Sequence, residues 1–244
     1  MQTEKRIDES LDGQDRAPAV RIQDLSSSEH LRDLEDLQVL VWGGAPSTIV
    51  PVHVLHIVAT TGGIVLGAYD GDQPVGFAFG FLGRRNGRLY HASHMLGVHP
   101  AYQGRGLGAA LKMAQRERAL QQGLDLMTWT FDPLESRNAY FNIHKLGVIS
   151  RRYTENVYGE LDDNLNRGLP SDRIVVEWWL NDVKSDRKRA PNEAVTILAS
   201  YNGLPSLRLE HQYQGQDLRV DVPEDIQRVK RDSPELALEW RGAQ

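Results

Sequence analysis

Residues 96–108, Leu-Gly-Val-His-Pro-Ala-Tyr-Gln-Gly-Arg-Gly-Leu-Gly, carry the chain from the end of a β-type run through a glycine-rich turn into the start of a helical one. A turn of that kind makes an anion site. The first amides of a helix have no intrahelical acceptor, the helix dipole adds positive potential, and glycine lets the backbone approach a phosphate closely. A pyrophosphate fits this description. What precedes the turn narrows the fold. Gly62-Gly63 opens β-type runs at 64–69, 75–82 and 89–98, separated by the hairpin signals Asp70-Gly71-Asp72 and Asn86-Gly87. The turn therefore follows an antiparallel meander and does not open a parallel βαβ unit. It also lacks a Gly-Lys-Ser/Thr ending, and no acidic residue closes a following strand to hold a ribose. Walker-type and Rossmann readings lose on those grounds.

The remaining segments give an α+β order. Val20-Arg21-Ile22 reads as a short strand, and Ser26-Ser27-Ser28 caps a helix with an apolar stripe at Leu31, Leu34, Leu37 and Val41, stopped by Gly43-Gly44. A proline-bounded segment containing 52–60 follows, with no element assigned to it. After the turn, a helix is expected over 107–122 with Leu107, Leu111 and Ala114 apolar and a charged opposite face, ended by Gly123. A strand at 126–131, a helix at 136–145 closed by Gly147, and strands near 148–157 and 174–180 complete one βαβ passage. The expected architecture is a mixed, mostly antiparallel central sheet flanked by helices, with a small C-terminal β-rich extension ending in a short helix. Residues 1–18 are too polar and charged to repay ordering and are expected to be a disordered tail. Residues 19–182 form the main domain, and 183–193 read as a solvated linker into the extension at 183–244. Leu236, Leu238 and Trp240 of the last helix must pack on the main domain or on a second subunit of a homodimer.

Composition removes several classes of function. A formal net charge of -5 gives no basic field for a polyanion, so nucleic acid is not an expected partner. With no cysteine there are no disulfides, thiolate metal sites or cysteine nucleophiles. His53 and His56 stand at i, i+3 spacing without a third ligand nearby, so no metal is expected. No apolar run approaches the roughly 20 residues that span a bilayer, and the first residues lack a signal-peptide core. A cytoplasmic protein that binds a small molecule and no membrane is the expectation.

The turn resembles that of the GNAT acyltransferases, whose motif Gln/Arg-x-x-Gly-x-Gly/Ala is matched by Gln103, Gly106 and Gly108. The resemblance covers roughly residues 20–182, since the preceding strand, following helix, next strand and an Asn-initiated helix before Lys145-Leu146-Gly147 fall in the family order. It implies the GNAT fold and acetyl-coenzyme A, or another short acyl-coenzyme A, as co-substrate. It implies that Gln103, Gly104, Arg105, Gly106, Leu107, Gly108 and Ala109 hold the pyrophosphate. The main chain of Leu96, Gly97 and Val98 would pair with the pantetheine arm, and Asn138 matches a position that often contacts the cofactor. The stretch 138–147, with Tyr158-Gly159 and residues 168–173, resembles one branch of the family that is associated with N-acylamino acid racemases. That association implies an amino acid acceptor and a succinyl donor.

The chemistry needs a base, because an alkylamine of pKa near ~10.4 is neutral in only about one molecule in a few thousand at pH 7. His94, which strand alternation places on one face with Leu96 and Val98, is the candidate. By resemblance it falls where some arylalkylamine-acetylating members carry a histidine base, while Ala92 occupies the site of the glutamate base of the histone-acetylating branch. The family's thiolate-protonating tyrosine is replaced by Ile143, leaving Tyr140 on the same helical face as its substitute. Arg137, Arg151, Arg152 and Arg173 are candidate clamps for a substrate carboxylate, against an ordinary solvated or ion-paired role for each. Trp129, Trp178 and Trp179 are expected to pack core and sheet faces. The expected activity is transfer of a short acyl group, acetyl or succinyl, from coenzyme A to a primary amine such as an amino acid. The alternative is a catalytically silent acyl-coenzyme A sensor or interaction module of the same fold.

Overall fold

The structure, a computed structural model, describes residues 20–43, 48–161, 163–181, 194–208, 213 and 215–244. The tail expected at 1–18 and the linker expected at 183–193 lie outside these residues. The main body opens with β1 (Arg21–Asp24), α1 (Ser28–Trp42) and α2 (Val52–Thr60), followed by the meander β2 (Ile64–Asp70), β3 (Gln73–Arg85) and β4 (Arg88–Val98). Then come α3 (Leu107–Gln121), β5 (Leu126–Phe131), α4 (Ser136–Ala139), β6 (Ile149–Thr154) and β7 (Arg173–Trp179). These strands make one seven-stranded sheet in the order β1-β2-β3-β4-β5-β7-β6. Every pairing is antiparallel except β4 with β5, the passage that crosses over through α3.

Each face of the sheet carries its own core. Leu66, Ala78, Leu111, Met127 and Val176 pack under α3. Leu31, Leu34, Leu55, Phe77 and Phe79 pack under α1 and α2. The stripe expected on α1 is the face that is buried, Ser27 accepts the His30 N–H as N-cap, and Gly43 closes the helix in the left-handed region at φ 59. The unassigned segment 52–60 is helix α2 despite its β-branched content. Leu55 and Val58 are buried against α1, and the Glu35 carboxylate accepts the Val52 N–H at 2.6 Å, so tertiary partners outweigh a weak intrinsic preference. The helix expected at 136–145 changes character. After Ala139 it widens into a π-helical segment, Tyr140–Leu146, which ends at Gly147 with φ 72. Within it Asn142 is buried, and its side-chain oxygen accepts the Trp129 indole N–H at 3.1 Å.

The described residues of the C-terminal extension form three strands and two helices, one more helix than expected. β8 (Val195–Tyr201) pairs with β9 (Leu204–Leu207) antiparallel and with β10 (Leu218–Val220) in parallel, and α5 (Ile226–Asp232) and α6 (Pro234–Gly242) follow. Trp240, buried, packs with Leu198, Ile226 and Ala237 and with Leu134 and Leu169 of the main body. Trp240 and Leu236 therefore find apolar partners within their own chain, while Leu238 stays exposed. A buried ionic contact reinforces the junction: Arg241 donates to Asp132 at 2.5 Å, and Arg173 lies 3.8 Å from the same carboxylate. Removing Asp132 leaves two buried guanidinium groups without that countercharge, so Asp132→Ala should lower unfolding free energy by about 3–5 kcal/mol. Urea denaturation of the variant checks this.

Candidate active site

The glycine turn has the geometry of an anion cradle. His99 starts a single turn of 3-10 helix at Pro100–Tyr102, its imidazole accepting the Ala101 N–H at 3.1 Å. The Gln103 side chain donates to the Val98 carbonyl at 3.1 Å, tying the loop to the end of β4. Gly104 and Gly106 both adopt left-handed conformations, at φ 76 and 84. A Cβ built on either would meet no protein atom within 4 Å. The Ala110 N–H donates to the Gly106 carbonyl at 3.0 Å and closes the first turn of α3, so the amides of Leu107, Gly108 and Ala109 have no acceptor one turn back. The Leu107 side chain is buried in the core under α3, leaving its amide as its contribution. Arg105 rests over the Tyr102 ring at 5.4 Å.

The edge of β4 beside this turn lacks a strand partner. β4 and β5 pair only at His91↔Met127 and Ala92↔Thr128, and beyond those residues the two strands separate. Gly97 holds the opposite edge tightly: a Cβ there would meet the Phe77 ring at 2.6 Å. Two cavities open from the split. One, of about 1210 Å³, is bounded by Leu96, Gly104, Gly106, Gly108, Ala109 and Asn138, and across from them by Gly203, Asp225, Arg228 and Trp240 of the extension. The other, of about 340 Å³, reaches through the split to His94, Lys112, Trp129, Asp132 and Glu135. Asn138 and Leu96 line both. Gly97, Val98 and Gln103 line a third cavity that also contains Asn138.

His94 sits in a β-bulge, and this corrects the face expected for it. Phe79 pairs with Met95 but Gly80 with Ser93, so His94 is the extra residue and alternation changes phase across it. Leu96 and Val98 pack toward α3, as do His91 and Ser93, which bond to α3 side chains. His94 lies on the other face, its ring 5.4 Å from Phe79 and 5.6 Å from Phe81. Solvent reaches the imidazole through the cavity, yet the protein around it desolvates the charged form and lowers its pKa below the ordinary histidine value. The neutral ring is what a base requires.

Tyr140 is not brought into the cavity of His94. It is exposed, stacked on His144 at 4.7 Å, and lines the larger cavity instead. Ile143 is exposed as well. Among the candidate clamps, Arg173 lines the cavity of His94 but donates to Asn166 at 2.7 Å and to the Asp172 carbonyl at 2.8 Å. Arg137 borders the larger cavity, and Arg151 lies 3.7 Å from Glu177 on the surface. Trp129 and Trp178 pack edge to face in the core, 6.1 Å apart, and Trp129 also walls the cavity. Among the described residues no cluster of histidine and acidic side chains suited to a metal ion occurs. No described helix is long and apolar enough to cross a membrane.

Sequence reasoning missed Lys112. It is buried on the sheet side of α3 and donates to Ser93 Oγ at 2.7 Å, with its ammonium 4.0 Å from the centre of the Trp129 ring. Ser93 donates to Gln115 at 2.9 Å, and Gln115 lies 3.3 Å from the buried His91 ring. Burial lowers the Lys112 pKa to about 7. The available signal was spacing: Gly108, Lys112, Gln115 and Ala119 stand four, three and four apart and share one helical face with the cradle.

Residues 31–147 match the model of the Acetyltransferase (GNAT) family. Among curated proteins none matches the chain. Solved structures with this fold include the ribosomal-protein-S18-alanine N-acetyltransferase of Escherichia coli, 14% identical with TM-score 0.53, covering 70% of this chain and 99% of that one. Naa50 of Arabidopsis thaliana, in complex with the bisubstrate analogue CoA-Ac-MVNAL, is 18% identical with TM-score 0.52, covering 65% of this chain and 97% of that one. The ribosomal-protein-alanine N-acetyltransferase of Brucella melitensis is 18% identical with TM-score 0.52, covering 65% and 99%. The meander, the split strands and the glycine turn stand in the order that fold requires, and residues 31–147 carry the match to the GNAT acetyltransferase family.

Proposed function

We propose that this protein transfers a short acyl group, acetyl or succinyl, from coenzyme A to the primary amine of a small molecule, an amino acid being the favoured class. The observation that carries this reading is the continuity of the cradle with the split. The acceptor-free amides of Leu107, Gly108 and Ala109 open onto the unpaired edge of β4, and the space continues to a desolvated His94. The diphosphate of the donor lies on those amides, and its pantetheine arm runs along Leu96, Gly97 and Val98 with Asn138 opposite. The thioester then reaches the point where β4 and β5 part. There the amine, relieved of its proton by His94, attacks the carbonyl carbon. Holding both reactants in one enclosed space supplies proximity, and the base supplies a competent nucleophile.

A silent sensor of the same fold draws support from one feature, the exposed Ile143 where related enzymes place a tyrosine. One experiment separates the two. The protein is incubated with acetyl- or succinyl-coenzyme A and a panel of L- and D-amino acids, and free thiol is measured together with donor affinity. Thiol release that depends on the amine is expected. Tight donor binding with no release across the panel would establish the sensor instead.

A further inference from the structure

We propose that Lys112 is the acid that protonates the departing thiolate, filling the role that Ile143 cannot. This rests on the acyl-transfer reading above and adds a residue to it. Position is the first support. The last paired residues of the split strands are Ala92 and Thr128, and the first unpaired ones are Ser93 and Trp129. The Lys112 ammonium lies against both, 2.7 Å from the Ser93 hydroxyl and 4.0 Å from the Trp129 ring centre. It therefore occupies the apex of the opening and lines the cavity that holds His94. It also stands one helical turn beyond Gly108, on the face of α3 that begins at the cradle.

The second support is its lack of a countercharge. Among the described residues no carboxylate forms an ion pair with Lys112, although it is only 5% exposed. A buried, unpaired ammonium is costly, and an apolar side chain at this position would pack the core at no such cost. The charged and titratable groups around it are His91 and His94 from β4, and Asp132, Glu135, Tyr158, Asp163 and Arg173 across the cavity. His91 is held neutral, its pKa pushed down to about 3 by burial and by the Lys112 charge.

The step balances. The amine nitrogen forms a C–N bond with the thioester carbonyl carbon, whose π pair moves to oxygen. That pair returns as the C–S bond breaks, and sulfur leaves with the bonding pair. Lys112 gives one N–H proton to sulfur and becomes a neutral amine, while the proton lost from nitrogen passes to His94. His94, which has already passed the first proton of the starting ammonium to water before attack, releases this second one to water as well, and Lys112 takes one back. In total, an ammonium and a thioester give an amide, a thiol and one proton. With Lys112 near 7 and an ordinary thiol near ~8.5, the transfer runs downhill, whereas an ordinary lysine near ~10.4 would face an uphill one.

The test compares wild type with Lys112→Met and Lys112→Arg, measuring kcat against pH, coenzyme A affinity and melting temperature. In the wild type, turnover should decline as pH rises through about 7, where Lys112 loses its proton. Lys112→Met should keep coenzyme A affinity, lose at least ~10²-fold in kcat at pH 7, and lose that alkaline decline. Lys112→Arg keeps the charge with a proton too tightly held to give, so it should be similarly slow, and it decides the matter if the Met variant does not fold. Wild-type kcat in either folded variant, or an alkaline decline that persists unchanged, overturns the role of Lys112 alone. No thiol release by wild type from any donor overturns the acyl-transfer reading and this role with it.

Discussion

Gly106→Glu should abolish coenzyme A binding, lowering affinity by more than ~10³-fold in calorimetric titration. The side chain would project into space that no protein atom occupies within 4 Å, beside amides that have no acceptor. In the proposed complex that space belongs to the diphosphate. Two losses then add. Each charge-assisted hydrogen bond from a backbone amide contributes about 1.5–3 kcal/mol, and a carboxylate in the cradle both competes for the amides and repels the phosphates. Backbone strain from placing a side chain at φ 84 is a separate effect of ~1–2 kcal/mol. Gly87→Glu controls for it, because Gly87 has φ 80, is equally open, and sits in the distant β3–β4 hairpin. Unchanged affinity in the Gly106 variant would remove the diphosphate from this turn.

His94→Ala should reduce turnover by ~10²–10⁴-fold while leaving donor affinity intact, the range typical for loss of a positioned base. The dependence on pH carries the diagnosis. Desolvation holds the folded-state pKa of His94 below its ordinary value, so the imidazole is already neutral at pH 7 and the acid-side loss of activity sets in as pH drops through that lowered pKa. Above the pKa of the amine no base is needed, and variant and wild type should converge. A deficit that stays constant across pH would mark His94 as a packing residue between Phe79 and Phe81.

The parts of this fold that were legible in the sequence are those decided locally. The Ser27 cap, the stripe on α1, the two hairpin turns and the cradle each depend on residues a few positions apart, and each forms where its residues stand. The missed parts depend on distant partners. Helix α2 is set by burial against α1 and by the Glu35 carboxylate, neither of which its own residues announce. The bulge at His94 inserts one residue into β4, so counting by twos from Leu96 puts the imidazole on the wrong side of the sheet. Lys112 carries no local sign of its burial, because lysine is seldom buried; its environment comes from Ser93 and Trp129, on two other strands. The π-helical segment after Ala139 likewise brings Asn142 to Trp129, a contact invisible from a periodicity read as regular helix.

The C-terminal extension supplies one side of the groove beside the glycine loop. Asp225, Arg228 and Trp240 face Gly104, Gly106 and Gly108 across the larger cavity, so the groove has one wall from each part of the chain. In the proposed complex the donor touches both walls, so by linkage its binding free energy would add to what holds α5 and α6 against the main body, and donor should raise the protein's melting temperature.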